Sequence, residues 1–306
     1  MRNKSIKLSI LPLLLVAAES HASGCYVDHF SGEIICSGNT ATVSSGGALP
    51  TVIQNDFAVA MDVAEPLAET TLLPSESGAV PAQAGVGLEC GWASSRGNGD
   101  TSVCTLPLSY TIHNEIDPRR RLVFKVPVTW VDSDNPLSPG QTYHVGFGAS
   151  YTYPLATRWY VTPGVNYTYA DEGDFGQKAD LVSASLASAY FYKDRGFDFG
   201  IGNMIGYAMT VNETGGHPAY YYSTLRNGLM VSKAGSLFGR KVYWEGAVVD
   251  TLYFGDQLFT DHQLEVSLTV GDKRSYKISG GGYRLGLTLF DAGDTDGGKL
   301  TFGYWF

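Results

Sequence analysis

Charged residues are scarce in this sequence of 306 residues. They make up 17% of it, where a soluble domain normally carries about 25%. Long apolar runs are missing as well: the longest, Leu8–Ala18, holds about 11 residues, whereas a membrane-spanning helix needs about 20. The composition is therefore not that of an ordinary soluble domain, and the chain has no candidate for a transmembrane helix.

Signatures of metal, redox and nucleic-acid sites are absent too. The four cysteines contain no Cys-x-x-Cys pair, and the six histidines form no cluster with metal-ligand spacing. The net charge of -9 argues against nucleic acid as a partner. We expect no catalytic metal, no cofactor and no nucleic-acid partner.

Residues 1–22 have the pattern of a secretory signal peptide. Three basic residues precede the apolar stretch Leu8–Ala18, and Ser20-His21-Ala22 supplies small residues at the cleavage positions. A competing interpretation is a lipoprotein acylated at Cys25. Export to an oxidising compartment predicts two disulfides. Of the three connectivities, we favour pairing of neighbours, Cys25 with Cys36 and Cys90 with Cys104.

What the chain has in abundance is glycine and aromatic residues, with 37 Gly, 19 Tyr, 14 Phe and 5 Trp. From about Val86 onward they fall into segments of period 2. In Gln141–Tyr153 the odd positions are apolar and carry aromatics at both ends, while the even positions are small or polar. Such alternation over about 9–11 residues is typical of a membrane-spanning β-strand.

We count about twelve such segments between residues 84 and 306. They begin near Val86, Ser102, Arg119, Gln141, Thr157, Lys178, Gly196, Ala219, Arg240, Thr260, Gly281 and Gly297. The connections alternate between short, partly basic ones and longer ones rich in glycine and acids. This pattern predicts an all-β fold, a transmembrane antiparallel barrel whose even strand count leaves both ends in the periplasm. Cys90 and Cys104 are then equally far from the first hairpin turn and can meet across it.

Residues 23–83 precede the barrel and do not alternate. Ile53, Phe57, Ala60, Met61 and Ala64 form one stripe at helical spacing, which predicts a short helix over about residues 52–64. One interpretation is a periplasmic tether, and the other is a plug inside the lumen. The charged residues expected on the lumen face are Glu89, Lys125, Arg226, Glu245, Glu265 and Arg284. They could pair with acids of the helix or with one another.

An outer-membrane lipid-modifying hydrolase would need a nucleophile or metal beside a base at the lipid-facing rim. His144 is expected to face the lumen, His113 to lie at a periplasmic turn, and His217 and His262 to lie at outer loops. None has a serine in a catalytic pattern beside it. We expect no catalytic residues, and a non-enzymatic protein.

The last strand, from Gly297, ends in an alternating aromatic sequence. Phe302, Tyr304 and Phe306 share its lipid face, and an aromatic carboxy-terminal residue on such a strand is similar to the signal read by the barrel-assembly machinery. The expected partners are this machinery and the outer-membrane lipids of a Gram-negative cell.

About twelve strands, a helical lead-in and the ending Lys299 to Phe306 together resemble an autotransporter translocator domain. In that family, twelve strands follow a helix that occupies the pore. Residues 23–50 are too few for a secreted passenger, so the resemblance is to solitary autotransporter-like barrels without one. It implies a structural or surface-exposed outer-membrane protein. The alternatives are a narrow channel for small solutes, gated or plugged by the helix, and the lipid-modifying hydrolase.

Overall fold

The computed structural model describes ten stretches of the chain. These are residues 25–27, 34–36, 82–95, 99–134, 140–172, 177–214, 221–255, 261–272, 282–293 and 295–306. The expected signal peptide (1–22) and the predicted helix (52–64) lie outside them, as does His217. Within these stretches, no helix is long and apolar enough to cross a membrane.

The first structural unit contains a small antiparallel hairpin. Strand β1 (Cys25–Val27) pairs with β2 (Ile34–Cys36), and the register places Cys25 opposite Cys36 in the backbone. Opposed positions on neighbouring antiparallel strands suit a disulfide. The bridge between these two cysteines stays a prediction.

The second unit is a closed barrel of twelve antiparallel strands. They are β3 (Ala82–Ser95), β4 (Gly99–His113), β5 (Arg121–Ser133), β6 (Gly140–Ala156), β7 (Trp159–Glu172), β8 (Gln177–Asp194), β9 (Phe197–Thr214), β10 (Tyr221–Leu237), β11 (Arg240–Gly255), β12 (His262–Gly271), β13 (Gly282–Ala292) and β14 (Thr295–Trp305). Each strand pairs with its neighbours in sequence, and β14 pairs with β3 to close the ring. The predicted fold class is confirmed.

The alternation of residue types explains why these segments form a barrel with its apolar side outward. From Thr142 to Tyr153 of β6 the even positions are buried and nearly all odd positions exposed: Thr142 is 5% exposed, whereas Tyr143 is 53% and Phe147 53% exposed. A soluble sandwich would bury the aromatic face instead. The exposed apolar face is the arrangement that a lipid environment requires.

Several strands are longer than the period-2 pattern predicts. Alternation marks Gln141–Tyr153, but β6 runs over Gly140–Ala156. The pattern records only the part of a strand with distinct apolar and polar sides. Backbone pairing continues beyond the alternating part, because the N–H and C=O groups of neighbouring strands bond to each other whatever the side chains are.

The two ends of the barrel are distinguished by where its first strand begins and its last strand finishes. We call the end where β3 begins and β14 finishes the terminal end, and the opposite one the loop end. Two terminal-end connections are two-residue turns, Arg195-Gly196 and Phe238-Gly239, with φ positive at both positions: 49° and 83°, then 50° and 79°. These angles belong to type I′ turns, whose twist matches that of the paired strands.

Candidate functional surfaces of the barrel

The outer wall is an apolar belt between two girdles of aromatic side chains. At the terminal end the exposed rings include Tyr110, Tyr151, Tyr153, Trp159, Tyr190, Trp244 and Tyr304. At the loop end they include Trp92, Trp130, Tyr143, Tyr167, Tyr207, Tyr221 and Phe254. Exposed aliphatic residues lie between them, such as Leu186, Leu229 and Leu287. Aromatic girdles at both interfaces are characteristic of membrane barrels.

A disulfide joins the first two barrel strands on this outer wall. Cys90 of β3 is bonded to Cys104 of β4, with a Cα–Cα distance of 4.1 Å. The two cysteines are directly opposed in the register, and Leu300 of β14 lies on the other side of Cys90. The bridge therefore fixes the register of the hairpin next to the seam that closes the barrel.

The inner wall brings together two of the charged residues expected there, in a polar chain across β10, β11 and β12. Arg226 Nη2 lies 3.3 Å from Glu265 Oε1. The same carboxylate oxygen accepts a hydrogen bond of 2.7 Å from Gln263 Nε2, and Tyr253 Oη donates to Gln263 Oε1 at 3.2 Å. All four side chains are buried, so each charge of the pair helps to compensate the desolvation of the other.

A second pair follows the same rule on the inner faces of β11 and β13. Arg284 Nη2 lies 2.7 Å from Glu245 Oε2. The N–H direction is not aligned for a hydrogen bond, so the contact is an ion pair. Lys125 and Glu89 also lie on the inner wall, Lys125 buried and Glu89 partly so. A further inner acid, Asp198, lies 3.6 Å from Lys193 Nζ at the terminal end.

One side of the inner wall is apolar, which sequence reasoning missed. Buried hydrophobic side chains form one cluster on the inner faces of β7–β11: Tyr160, Ala170, Leu181, Ala187, Ala189, Phe191, Met204, Ala208, Tyr222, Met230 and Tyr253. Glycines and Asp198 hold most of the inner positions of β9, so Met204 and Ala208 form no continuous apolar pattern in its sequence. The inner wall thus has an ionic side on β10–β13 and an apolar side centred on β8 and β9.

The three described histidines of the barrel lie on different strands: His144 on β6, His113 at the end of β4 and His262 at the start of β12. His144 is buried on the inner wall, 2% exposed, with no hydrogen-bond partner for either ring nitrogen. His113 Nδ1 lies 3.2 Å from the carbonyl oxygen of Pro118 at the turn after β4. His262 Nε2 lies 2.5 Å from Asp250 Oδ1. Among the described residues, no three His, Cys, Asp or Glu side chains form a group that could hold a metal ion.

The closing strand presents its aromatic side outward. Phe302, Tyr304 and Phe306 are 46%, 41% and 65% exposed on the outer wall. Beyond the end of β14, Phe306 still pairs with the first barrel strand: its N–H donates to Ala84 O at 3.0 Å, and Ala84 N–H donates to Phe306 O at 3.1 Å. The last residue is thus part of the seam between β14 and β3.

No protein-family model and no curated protein sequence matches this chain. Among solved structures, it is similar to the β-domain of the Bordetella autotransporter BrkA, with a TM-score of 0.57 and 13% identity over 74% of this chain and 99% of that one. It is also similar to the translocator domain of the autotransporter NalP from Neisseria meningitidis, with a TM-score of 0.59 and 9% identity over 86% and 96%. At these identities the likeness concerns the fold alone, and the fold is that of an outer-membrane β-barrel similar to autotransporter translocator domains.

Proposed function

We propose that the protein is an integral, autotransporter-like barrel of the bacterial outer membrane. In this proposal it serves as a surface-exposed structural protein and not as an enzyme. The observation that carries the proposal is the polarity of the wall: apolar side chains are exposed between two aromatic girdles, while ion pairs and hydroxyls are buried inside. Only a lipid surround makes that outer wall favourable.

The surface role is tested by asking which end of the barrel faces outward. The same protease site is inserted into the loop-end connection 215–220 or into the terminal-end turn 195–196, and intact cells are treated with the protease. Cleavage at 215–220 and protection at 195–196 support the proposal. Protection of both sites in intact cells, with both cleaved after the membrane is permeabilised, rules out surface exposure of the loops.

A narrow conduit closed by its own lead-in is a second candidate, favoured by the apolar side of the inner wall. In a purely aqueous channel, an apolar cluster such as Phe191, Met204 and Met230 would be unfavourable against water. The apolar stripe of the predicted helix over residues 52–64 has the chemistry to cover it. The acids beside that stripe, Asp56, Asp62 and Glu65, have the charge to face inner-wall cations.

Planar-bilayer conductance separates the two candidates. The mature chain is compared with a variant that lacks residues 37–81, which removes the predicted helix and keeps every barrel strand. A matched control keeps the segment and replaces Ile53, Phe57 and Met61 by Ser. Steady conductance in the deletion and in the Ser variant, but not in the parent, supports the plugged conduit. No conductance in any of the three removes the channel hypothesis.

A further inference from the structure

The apolar belt of the outer wall is crossed by a line of polar side chains on five neighbouring strands. We call the outer polar row the residues Ser188 (β8), Asn203 (β9), Asn227 (β10), Asp250 (β11) and His262 (β12). Ser188 is opposed to Asn203, Asn203 to Asn227, and Asn227 to Asp250 in the backbone register. Directly opposed side chains on one face lie within reach of one another, so the first four positions form a continuous line.

The ends of the row lie near the membrane interfaces and have their own partners. Ser188 Oγ accepts a hydrogen bond of 2.8 Å from Trp159 Nε1, in the aromatic girdle of the terminal end. At the loop end, His262 is the first residue of β12, and its Nε2 lies 2.5 Å from Asp250 Oδ1. The row therefore climbs diagonally from one interface to the other, as expected for opposed positions on tilted strands.

The centre of the row lies in the middle of the belt. Asn203 is four residues from Phe199, a half-buried aromatic residue near the terminal end of β9, and four from Tyr207 of the loop-end girdle. Asn203 Nδ2 donates to Asn227 Oδ1 at 2.7 Å. Each amide has two donors and a two-fold acceptor, so this bond uses only a small part of their capacity. Among the described residues, neither side chain has another side-chain partner.

Amides exposed to hydrocarbon are unfavourable unless another protein surface satisfies them. We propose that Asn203 and Asn227 form the centre of an interface between two copies of this chain, which meet through the outer walls of β8–β12. The proposal rests on the outer-membrane location proposed above. An amide carries donor and acceptor together, so it complements an identical amide related by a two-fold axis.

Membrane insertion fixes the geometry of such a dimer. Both copies enter in the same orientation, so their two-fold axis runs along the membrane normal. Two diagonal rows related by that axis cross at one point. The crossing brings the middle residue, Asn227, against its own counterpart and leaves Ser188 and His262 far from theirs. Five strands about 4.8 Å apart and a belt about 25 Å tall offer about 600 Å² per copy, near the lower end of specific interfaces.

Cross-linking in isolated outer membranes tests this geometry on the full chain. Leu229→Cys places a thiol two residues from Asn227 on the same outer face, with both amides intact; Leu229 is 61% exposed. Asn227→Cys gives a second position. Ser188→Cys on the same row and Val126→Cys on β5, far around the barrel, are the matched controls. With a short bismaleimide, we expect at least five-fold more dimer at positions 229 and 227 than at 188 or 126.

Equal cross-linking at all four positions, or none at 229 and 227, overturns the proposal. Adducts at 229 of a mass other than two chains would show that a different protein covers the row, and they overturn it as well. Co-purification of lipopolysaccharide with a monomer, lost in Asn203→Leu/Asn227→Leu, would assign the row to lipid. Fractionation reports separately on the proposed function: absence of the barrel from outer membranes refutes the location, whereas a monomer within them refutes only the dimer.

Discussion

Arg284 on β13 and Glu245 on β11 form an ion pair across the intervening strand β12, with Nη2 2.7 Å from Oε2. Arg226 and Glu265 do the same between β10 and β12, at 3.3 Å. Each pair therefore spans three strands on the inner wall. In addition to the backbone hydrogen bonds, the two ion pairs connect β10 with β12 and β11 with β13, close to the seam between β14 and β3.

Removing Glu245 takes an ion-pair partner from the buried guanidinium of Arg284, so we expect Glu245→Leu to lower the free energy of unfolding by about 3–5 kcal/mol. Replacing both residues, Glu245→Leu with Arg284→Met, removes the charges together and should restore most of that loss. Urea unfolding in lipid vesicles, followed by tryptophan fluorescence, measures both. The role of the pair is refuted if Glu245→Leu costs less than about 1 kcal/mol. It is also refuted if the double change costs as much as Glu245→Leu and Arg284→Met, each measured alone, added together.

The Cys90–Cys104 bridge closes a segment with a sequence separation of 14. Constraining the unfolded chain over such a length contributes about 3 kcal/mol, so Cys90→Ala/Cys104→Ala should unfold at a lower urea concentration. Cys25→Ala/Cys36→Ala is the control, because it changes the other predicted bridge and leaves the barrel wall intact. In the Cys25→Ala/Cys36→Ala control, a reductant can break only the Cys90–Cys104 bridge. If the reductant lowers the unfolding midpoint of this control as much as Cys90→Ala/Cys104→Ala lowers that of the parent, the lost stability is due to the Cys90–Cys104 bridge. An unchanged midpoint contradicts the prediction.

Strand number and facing direction were predictable for most of the barrel because strands such as β6 are amphipathic on their own. Gln141–Tyr153 needs no neighbour to reveal which side meets lipid. The disulfide at Cys90 was predictable for a similar reason, since a hairpin fixes its own register from its turn.

The outer polar row and the apolar inner cluster were not predictable in this way. On β9 the row shows only as a gap at Asn203 in an otherwise apolar face. Asn203 is recognised as part of a polar row only when the register places Asn227, and next to it Asp250, on the neighbouring strands. On β11 the polarity is mixed on both sides, with Val249 inside and Asp250 outside, so only pairing to β10 identifies the faces. Both features depend on which residues lie opposite each other on neighbouring strands, and the sequence of one strand does not contain that information.

The turn Phe238-Gly239 combines a left-handed phenylalanine, φ 50°, with a side chain that is 97% exposed. A bulky residue in this region costs roughly 1–2 kcal/mol, and asparagine tolerates it far better. We expect Phe238→Asn to raise the free energy of unfolding by about 1 kcal/mol. Gly239→Ala should lower the free energy of unfolding, because alanine is strained at a φ of 79°. A Cβ at this position meets no atom within 4 Å, so the loss comes from backbone strain alone. A gain from both changes, measured by urea unfolding, contradicts the type I′ explanation.

Phe306 combines two roles that can be separated. Its backbone makes two hydrogen bonds to Ala84 at the seam, and its ring lies exposed on the outer wall. We expect deletion of Phe306 to reduce the inserted, heat-modifiable fraction in outer membranes several-fold. Phe306→Ala keeps both backbone bonds and removes the ring, so an equal loss assigns the effect to recognition of the aromatic residue by the assembly machinery. If Phe306→Ala inserts as the parent does while the deletion fails, closure of the seam is what matters. Phe302→Ala, on the same face but inside the strand, distinguishes a terminal signal from a general loss of lipid contact, and it should leave insertion nearly unchanged.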